Sequence, residues 1–287
     1  MNNAAYLPFE THADEDHIAP AHFKALAALI HERTGIHLQP AKRTMLEGRL
    51  RRRARDTGQA SLRDYCKWIL SLDSDARELE HLVNAVTTNK TDFFREPRHF
   101  DYLTGTILPE MRDAGRHALR CWSAASSIGA EPYTIAMLLD AFARRNAGFE
   151  YAIVATDIDT RVLETARRGI YPRDMISPVP PELRKTYVLD ALDPARGEVR
   201  IVPELRRKVA FGQLNLIDRH YSVGDPFDLI FCRNVLIYFD KPTQEAVVNR
   251  LSARLRPGGY LFLGHSESIS GFQHDLTSVA GTVFQRK

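Results

Sequence analysis

Cysteine is scarce: Cys66, Cys121 and Cys232 are odd in number, far apart and free of any C-x-x-C spacing, which argues against a disulfide framework and a cysteine-held zinc cluster. No apolar run approaches the roughly 18 residues that span a bilayer. The opening MNNAAYLPFETHADEDH carries acids where a secretory signal needs bases. Neither membrane insertion nor export is expected, and the cytoplasm is the expected compartment. There is no internal repeat, no low-complexity tract and no G-x-G-x-x-G. Net charge is also small, +3 from 39 Lys plus Arg and 36 Asp plus Glu, too little to name a partner.

What is present is an ordinary globular composition, 44% apolar and 26% charged, in 287 residues, enough for about two domains. The charge is unevenly placed. Ile18 to Leu70 holds 11 basic against 4 acidic residues, +7 locally, which leaves −4 for the remainder. A basic N-terminal module is thus joined to a mildly acidic body. Residues 1–17 contain Glu10, Asp14, Glu15 and Asp16, no Lys or Arg, and no helical apolar repeat, and read as a mobile tail.

Phe23, Leu26, Leu29 and Ile30 follow helical spacing, with Gly35 placed to stop the helix. In AKRTMLEGRLRRRARDTG, Leu46, Leu50 and Ala54 share one narrow face and Arg49, Arg52 and Arg53 an adjoining one. With helical patterns in SLRDYCKWILSL and from Ala76 to Val86, residues 18–88 read as a small all-α domain. Beyond about residue 115 short apolar runs alternate with helical ones. HALRCWSA, YAIVATDID, KVAFGQLNL, FDLIFCRN and GGYLFLGHS read as strands, several apolar on both faces as in buried parallel sheets. PYTIAMLLDAFARR, TRVLETARRG and TQEAVVNRLSARL read as helices, so the body is a doubly wound α/β domain. The proline-rich stretch from Tyr171 to about Arg207, with its short GEVRIV strand, interrupts the alternation as a small excursion from the main sheet.

In such a sheet the ligand lies beyond the carboxyl ends of the strands. WSAASSIGAEPY offers a turn of small residues followed by Glu131, which opposes a phosphate and suits a cationic ligand; the plain alternative is a tight turn with Glu131 as a first-turn helix charge. Asp157 ends the second strand where an acid accepts ribose hydroxyls, and Asp159 reads as a helix cap. Asn215 can pair with an adenine edge, and Arg233 with Asn234 stands at the fourth strand end. Ribose and adenine without phosphate, plus a positive centre, describe S-adenosylmethionine. GGYLFLGHSES and GTVFQRK would add a late strand pair. His265 reads as a structural histidine with no nucleophile or carboxylate beside it, and His99 carries less signal still.

The stretches TTNKTDFFREPRHF, WSAASSIGAEPYTIA, ATDIDTRVLETARRGIY and FCRNVLIYFDKPTQEAVVNRL resemble those of the bacterial chemotaxis receptor methyltransferases of the CheR type, over about residues 20–285. The resemblance implies a helical domain (18–88), a linker (89–105) that contributes to the cofactor site, and a Rossmann-like class I methyltransferase domain (106–287) with a small inserted β-subdomain at about 172–207. It implies O-methylation of receptor glutamates with S-adenosylmethionine, leaving S-adenosylhomocysteine. By position, Asn89, Thr91 and Arg95 match linker residues that reach the cofactor, Arg95 near its methionine carboxylate. Glu131 matches the cofactor-binding acid, Asp157 the ribose acid, Asn215 and Leu216 the adenine-side pair, and Arg233 and Asn234 the strand-four pair. Tyr238 matches a tyrosine beside the methyl-transfer centre, so Arg95 and Tyr238 are the expected catalytic residues. One departure is visible: the turn usually carries two acids before Pro132, and here the first is Ala130.

A glutamate with a pKa near about 4.3 is already ionised, so in-line displacement needs no general base and rests on alignment and exclusion of water. Arg49, Arg52 and Arg53 become candidates for docking on acidic receptor helices, against the plainer reading of a solvated face. The expected partner is the cytoplasmic helices of methyl-accepting receptors, met by a monomer without a metal. A nucleic-acid methyltransferase also suits a basic appendage, but no aromatic stacking surface or base-pocket motif accompanies the arginines, and nucleic acid is not expected. A non-catalytic adaptor fits less well with Arg95, Glu131, Asp157 and Tyr238 all intact.

Overall fold

The computed structural model describes residues 17–71 and 76–287; the segment read as a mobile tail lies outside them except for His17, whose ring stands 3.3 Å from Glu47. The chain divides into two compact units, one up to Thr87 and one from Thr88 onward. No described helix is long and apolar enough to cross a membrane.

The first unit comprises α1 (Pro20–Thr34), α2 (Arg43–Asp56), α3 (Leu62–Leu70) and α4 (Ala76–Val86). Proline opens α1, and Gly35 at φ 73° closes it in the left-handed conformation that glycine adopts without penalty. Ser61 caps α3 by accepting the Asp64 N–H. Leu26, Ile30, Leu46, Leu50, Tyr65 and Leu82 meet in the core.

The three arginines read as one cationic face separate here by their contacts, two of them being engaged within the unit. Arg53 Nε donates to both oxygens of the buried Glu78 at 2.9 Å, and the Tyr65 hydroxyl donates to the same carboxylate at 2.7 Å. Arg49 Nη1 donates to the Ala85 and Thr87 carbonyls at 3.0 and 2.8 Å, satisfying acceptors that the end of α4 leaves open. Arg52 remains 85% exposed, 3.8 Å from Asp56. The reason is helical geometry: Arg49 and Arg53 follow Leu46 and Leu50 by three residues and so flank the buried stripe, where a buried carboxylate requires a cation.

The second unit begins with an irregular segment through Pro97 that turns at Phe93–Phe94 and has positive φ at Phe94 (53°) and Glu96 (58°), so the stretch expected as linker (89–105) is part irregular and part helical. Helix α5 (Arg98–Tyr102) runs through a π-helical turn (Leu103–Ile107) into α6 (Leu108–Asp113). Then come β1 (Ala118–Ala124), α7 (Ala130–Ala143), β2 (Glu150–Asp157) and α8 (Thr160–Arg168). A small antiparallel sheet follows, of β3 (Ile170–Pro172), β4 (Val188–Asp190) and β5 (Glu198–Ile201), with α9 (Pro181–Tyr187) and α10 (Pro203–Arg207). The chain ends with β6 (Val209–Gln213), β7 (Phe227–Cys232), α11 (Lys241–Ala253), β8 (Leu255–Leu263), β9 (Leu276–Ala280) and β10 (Val283–Arg286).

The main sheet has the order β6-β2-β1-β7-β8-β10-β9. Its first five strands are parallel and β10 is antiparallel to both neighbours. Every residue of β7 is buried, as expected of a central strand covered on both faces. Phe231 and Phe262 stack across β7 and β8 with ring centroids 4.1 Å apart. The three cysteines are buried and free. The edge strand β9 has no counterpart in the sequence reading, because only Leu276 of its residues is buried and its polar exposed face lacks the apolar signature.

Candidate active site

Strand order reverses between β1 and β7, which opens a crevice at the carboxyl ends of β6, β2, β1 and β7. The turn after β1 has positive φ at Ala125, Ser127 and Gly129. A Cβ on Gly129 would lie 2.9 Å from the Ala166 methyl and 3.0 Å from the Tyr171 hydroxyl, so the turn is seated tightly against α8 and the insert. The Ser127 N–H donates to one oxygen of Asp157 at 2.8 Å, and the Asp159 N–H to the other at 3.0 Å. Burial pushes the Asp157 carboxyl up, against those N–H donors, to about 6. Asp159 caps α8 through the Arg161 N–H and receives Asn89 Nδ2 at 2.8 Å. The Ser127 hydroxyl donates to the Asn89 carbonyl, which ties the irregular segment before α5 to the ends of β1 and β2.

At the end of β7, Arg233 has a side chain only 2% exposed. Its Nη1 donates to Glu131 at 2.9 Å, and its Nη2 to Glu96 at 3.0 Å and to the Arg95 carbonyl. The other Glu131 oxygen takes the Ser123 hydroxyl at 2.7 Å. Asn234, at φ 59°, donates its side-chain amide to Glu96 at 3.0 Å and its backbone N–H to Glu267 at 2.9 Å. Glu267, 5% exposed, also accepts the N–H groups of Leu236 and Gly264. It thereby anchors the 3-10 turn Leu236–Tyr238. Burial raises Glu96, but the hydrogen bonds of Asn234 and Arg233 and the guanidinium charge outweigh it and hold this carboxyl down at about 2. For Glu267 burial prevails over the N–H donors and the carboxyl lies above its ordinary range.

Asn89, Arg95, Glu131, Asp157, Arg233 and Asn234 therefore fall in one connected neighbourhood. Arg95 donates Nη1 to the Lys90 carbonyl at 2.9 Å; Thr91 and Tyr238 are half-buried. Asn215 Oδ1 accepts the Ile217 N–H, an Asx turn. Leu216 is buried, and the Leu214 N–H donates to the Asp157 carbonyl. The Arg233 guanidinium is enclosed by two carboxylates and a carbonyl, so it positions Glu131 and the irregular segment before α5. Sequence reasoning missed Glu96 and Glu267. Glu96 lies 137 residues from Arg233, beyond any local pattern, and an acid just past an apolar strand was the only sign of Glu267.

The donor set fits a nucleoside with a cationic amino-acid end. A phosphate would face Asp157 and Glu131, whereas ribose hydroxyls, an ammonium and a sulfonium find complementary acceptors there. Glu131 accepts one hydrogen bond at each oxygen, and a carboxylate has room for about four.

This sheet order with this crevice defines an S-adenosylmethionine-dependent methyltransferase of class I. Two family models match the chain: the CheR methyltransferase all-alpha domain over residues 21–87 and the CheR methyltransferase SAM binding domain over residues 89–285. Chemotaxis protein methyltransferase 2 of Pseudomonas aeruginosa is 40% identical, over 94% of each chain. The chemotaxis protein methyltransferase of Salmonella typhimurium is 41% identical over 93% of this chain and 90% of its own. That of Escherichia coli is 40% identical over 93% and 91%. The chain belongs to the CheR methyltransferase family.

Proposed function

We propose that this chain methylates glutamate side chains on the cytoplasmic helices of methyl-accepting chemotaxis receptors, acting as a monomer in the cytoplasm. The observation that carries the reading is the acid-lined crevice, built on a chain matched to chemotaxis methyltransferases along nearly its whole length. The bound cofactor supplies an electrophilic sulfonium methyl, and its transfer to a carboxylate leaves a methyl ester and S-adenosylhomocysteine.

Asp157 serves the ribose hydroxyls, Asn215 and Leu216 the adenine side, and Glu131 with Asn89, Thr91 and Arg95 the amino-acid end. Arg233 and Asn234 hold these groups in register, and Arg95 and Tyr238 orient the reacting carboxylate. No residue needs to serve as base, because the acceptor is ionised at neutral pH. Incubation with labelled S-adenosylmethionine and receptor-containing membranes is expected to give label that alkali releases as methanol. Tyr238→Phe and Arg95→Ala should each lower turnover, by up to about 100-fold for lost alignment. Wild-type rates in both would overturn their roles, and no alkali-labile label would overturn the reaction itself.

Asp157 makes cofactor affinity depend on pH. Its carboxyl titrates at about 6 in the ligand-free protein, and hydroxyl donors favour the ionised form. Cofactor binding should therefore weaken as the pH falls through 6, with a proton released on binding below that point. Calorimetry in buffers of different ionisation heat reads this release, and Asp157→Asn should abolish it.

Receptor docking then rests on the exposed Arg52, not on Arg49 or Arg53. Arg52→Glu is expected to slow receptor methylation and flatten its salt dependence while leaving the melting temperature unchanged. Arg53→Met should instead lower the melting temperature, since it leaves the buried Glu78 without its cation.

A further inference from the structure

Beside Arg233 three ligand-type side chains converge, and one of the contacts among them has no proton to share. His99 is 4% exposed. The Thr282 hydroxyl donates its one proton to the Leu263 carbonyl at 2.8 Å. At its 3.0 Å contact with His99 Nε2 the threonine oxygen must therefore accept, and the network assigns the ring proton to Nε2. His99 Nδ1 is then a lone pair, buried and without a hydrogen-bond partner. It faces Glu96 Oε2 at 3.6 Å, an atom that can only accept. His265 Nε2 stands 3.8 Å from the same oxygen, and the two imidazole rings lie 5.0 Å apart. The ligand atoms of Glu96, His99 and His265 all fall within 4.8 Å of one another.

We propose that Glu96, His99 and His265 form a binding site for a transition-metal ion of the zinc or cobalt(II) class. Two imidazoles and a carboxylate suit these ions, whereas magnesium and calcium prefer sets made of oxygen alone. Tetrahedral coordination at about 2.0–2.1 Å sets ligand atoms about 3.4 Å apart, close to the 3.6 and 3.8 Å already present about Glu96. His265 is half-exposed, so it can close the remaining distance and leaves an entry path from solvent. Thr282 supplies the outer hydrogen bond that holds a ligating histidine in its tautomer. Arg233 holds the same Glu96 oxygen at 3.0 Å and is the competing cation. A bound ion draws Glu96 off Arg233, so the site is weaker than a structural zinc centre, and its occupation loosens the crevice.

The test is titration of the full-length protein with cobalt(II), followed by calorimetry and by the visible absorption of the ion. One equivalent should bind and be displaced by zinc. His265→Ala should weaken binding at least about tenfold, and Thr282→Val, which removes the outer acceptor, by about 10- to 100-fold. Melting curves without metal check that both variants are folded. Absence of cobalt binding, or binding indifferent to His265→Ala, would overturn the site; the lone pairs are then bridged by water or by a proton on His265. Either result leaves the methyl-transfer reading untouched.

Discussion

Replacing Arg233 by methionine should destabilise the second unit by about 3–5 kcal/mol, the typical result of leaving a buried charge without its partner, and should abolish cofactor binding. The guanidinium is shared between Glu96 and Glu131, so its loss leaves two carboxylates confined and uncompensated. Urea denaturation of the variant beside Glu96→Gln and the double variant gives the coupling: the double variant should recover part of the loss, because one stranded charge has been removed. Arg233→Lys should fall between, since an ammonium cannot span both carboxylates as the planar fork does.

The pH profile follows with a definite sign. Glu96 is depressed from 4.5 to about 2, so its contribution is complete above 4.5 and is lost as the pH falls toward 2. In Arg233→Met the same carboxyl is raised by burial, and the stability gap to the parent should narrow in acid. His99 is held down to about 4 by burial and by the charge of Arg233. It is neutral when folded while the unfolded chain takes up a proton, so acid costs further stability between 6.5 and 4. Asp157 acts in the opposite sense: its raised pKa favours the folded state below 6.

Glu267→Ala is the second large expected effect. Removing this carboxylate orphans the N–H groups of Asn234, Leu236 and Gly264, each at about 1–3 kcal/mol when buried. It also releases the turn that carries Tyr238. Turnover is expected to drop about 100-fold through misplacement, with KM for the cofactor changed far less, because Asp157 and its two N–H donors are untouched. Glu267→Gln should not rescue, since its amide nitrogen would face another donor. A Glu267→Ala protein with the parental melting temperature and kcat would refute the assignment.

Much of the architecture was legible along the chain. Strands such as FDLIFCRN declare themselves because a central parallel strand must be apolar on both faces, and α1 because its apolar residues recur at helical spacing ahead of Gly35. The cap at Asp159 and the acid closing β2 at Asp157 are likewise local, set by residues within a few positions. β9 was not legible, because an edge strand need bury only one residue in several.

Partner choice was not legible either. Arg49 and Arg53 share a helix face with Arg52 in sequence, yet only packing against α4 shows that two of the three turn inward. Arg233 joins Glu131 and Glu96 across 102 and 137 residues, and Glu267 reaches back 33 to Asn234. Periodicity reports which side of an element is buried, because it depends on neighbours two to four residues away. Which charges meet depends on the strand ends that the topology brings side by side, and that is decided only when the sheet is assembled.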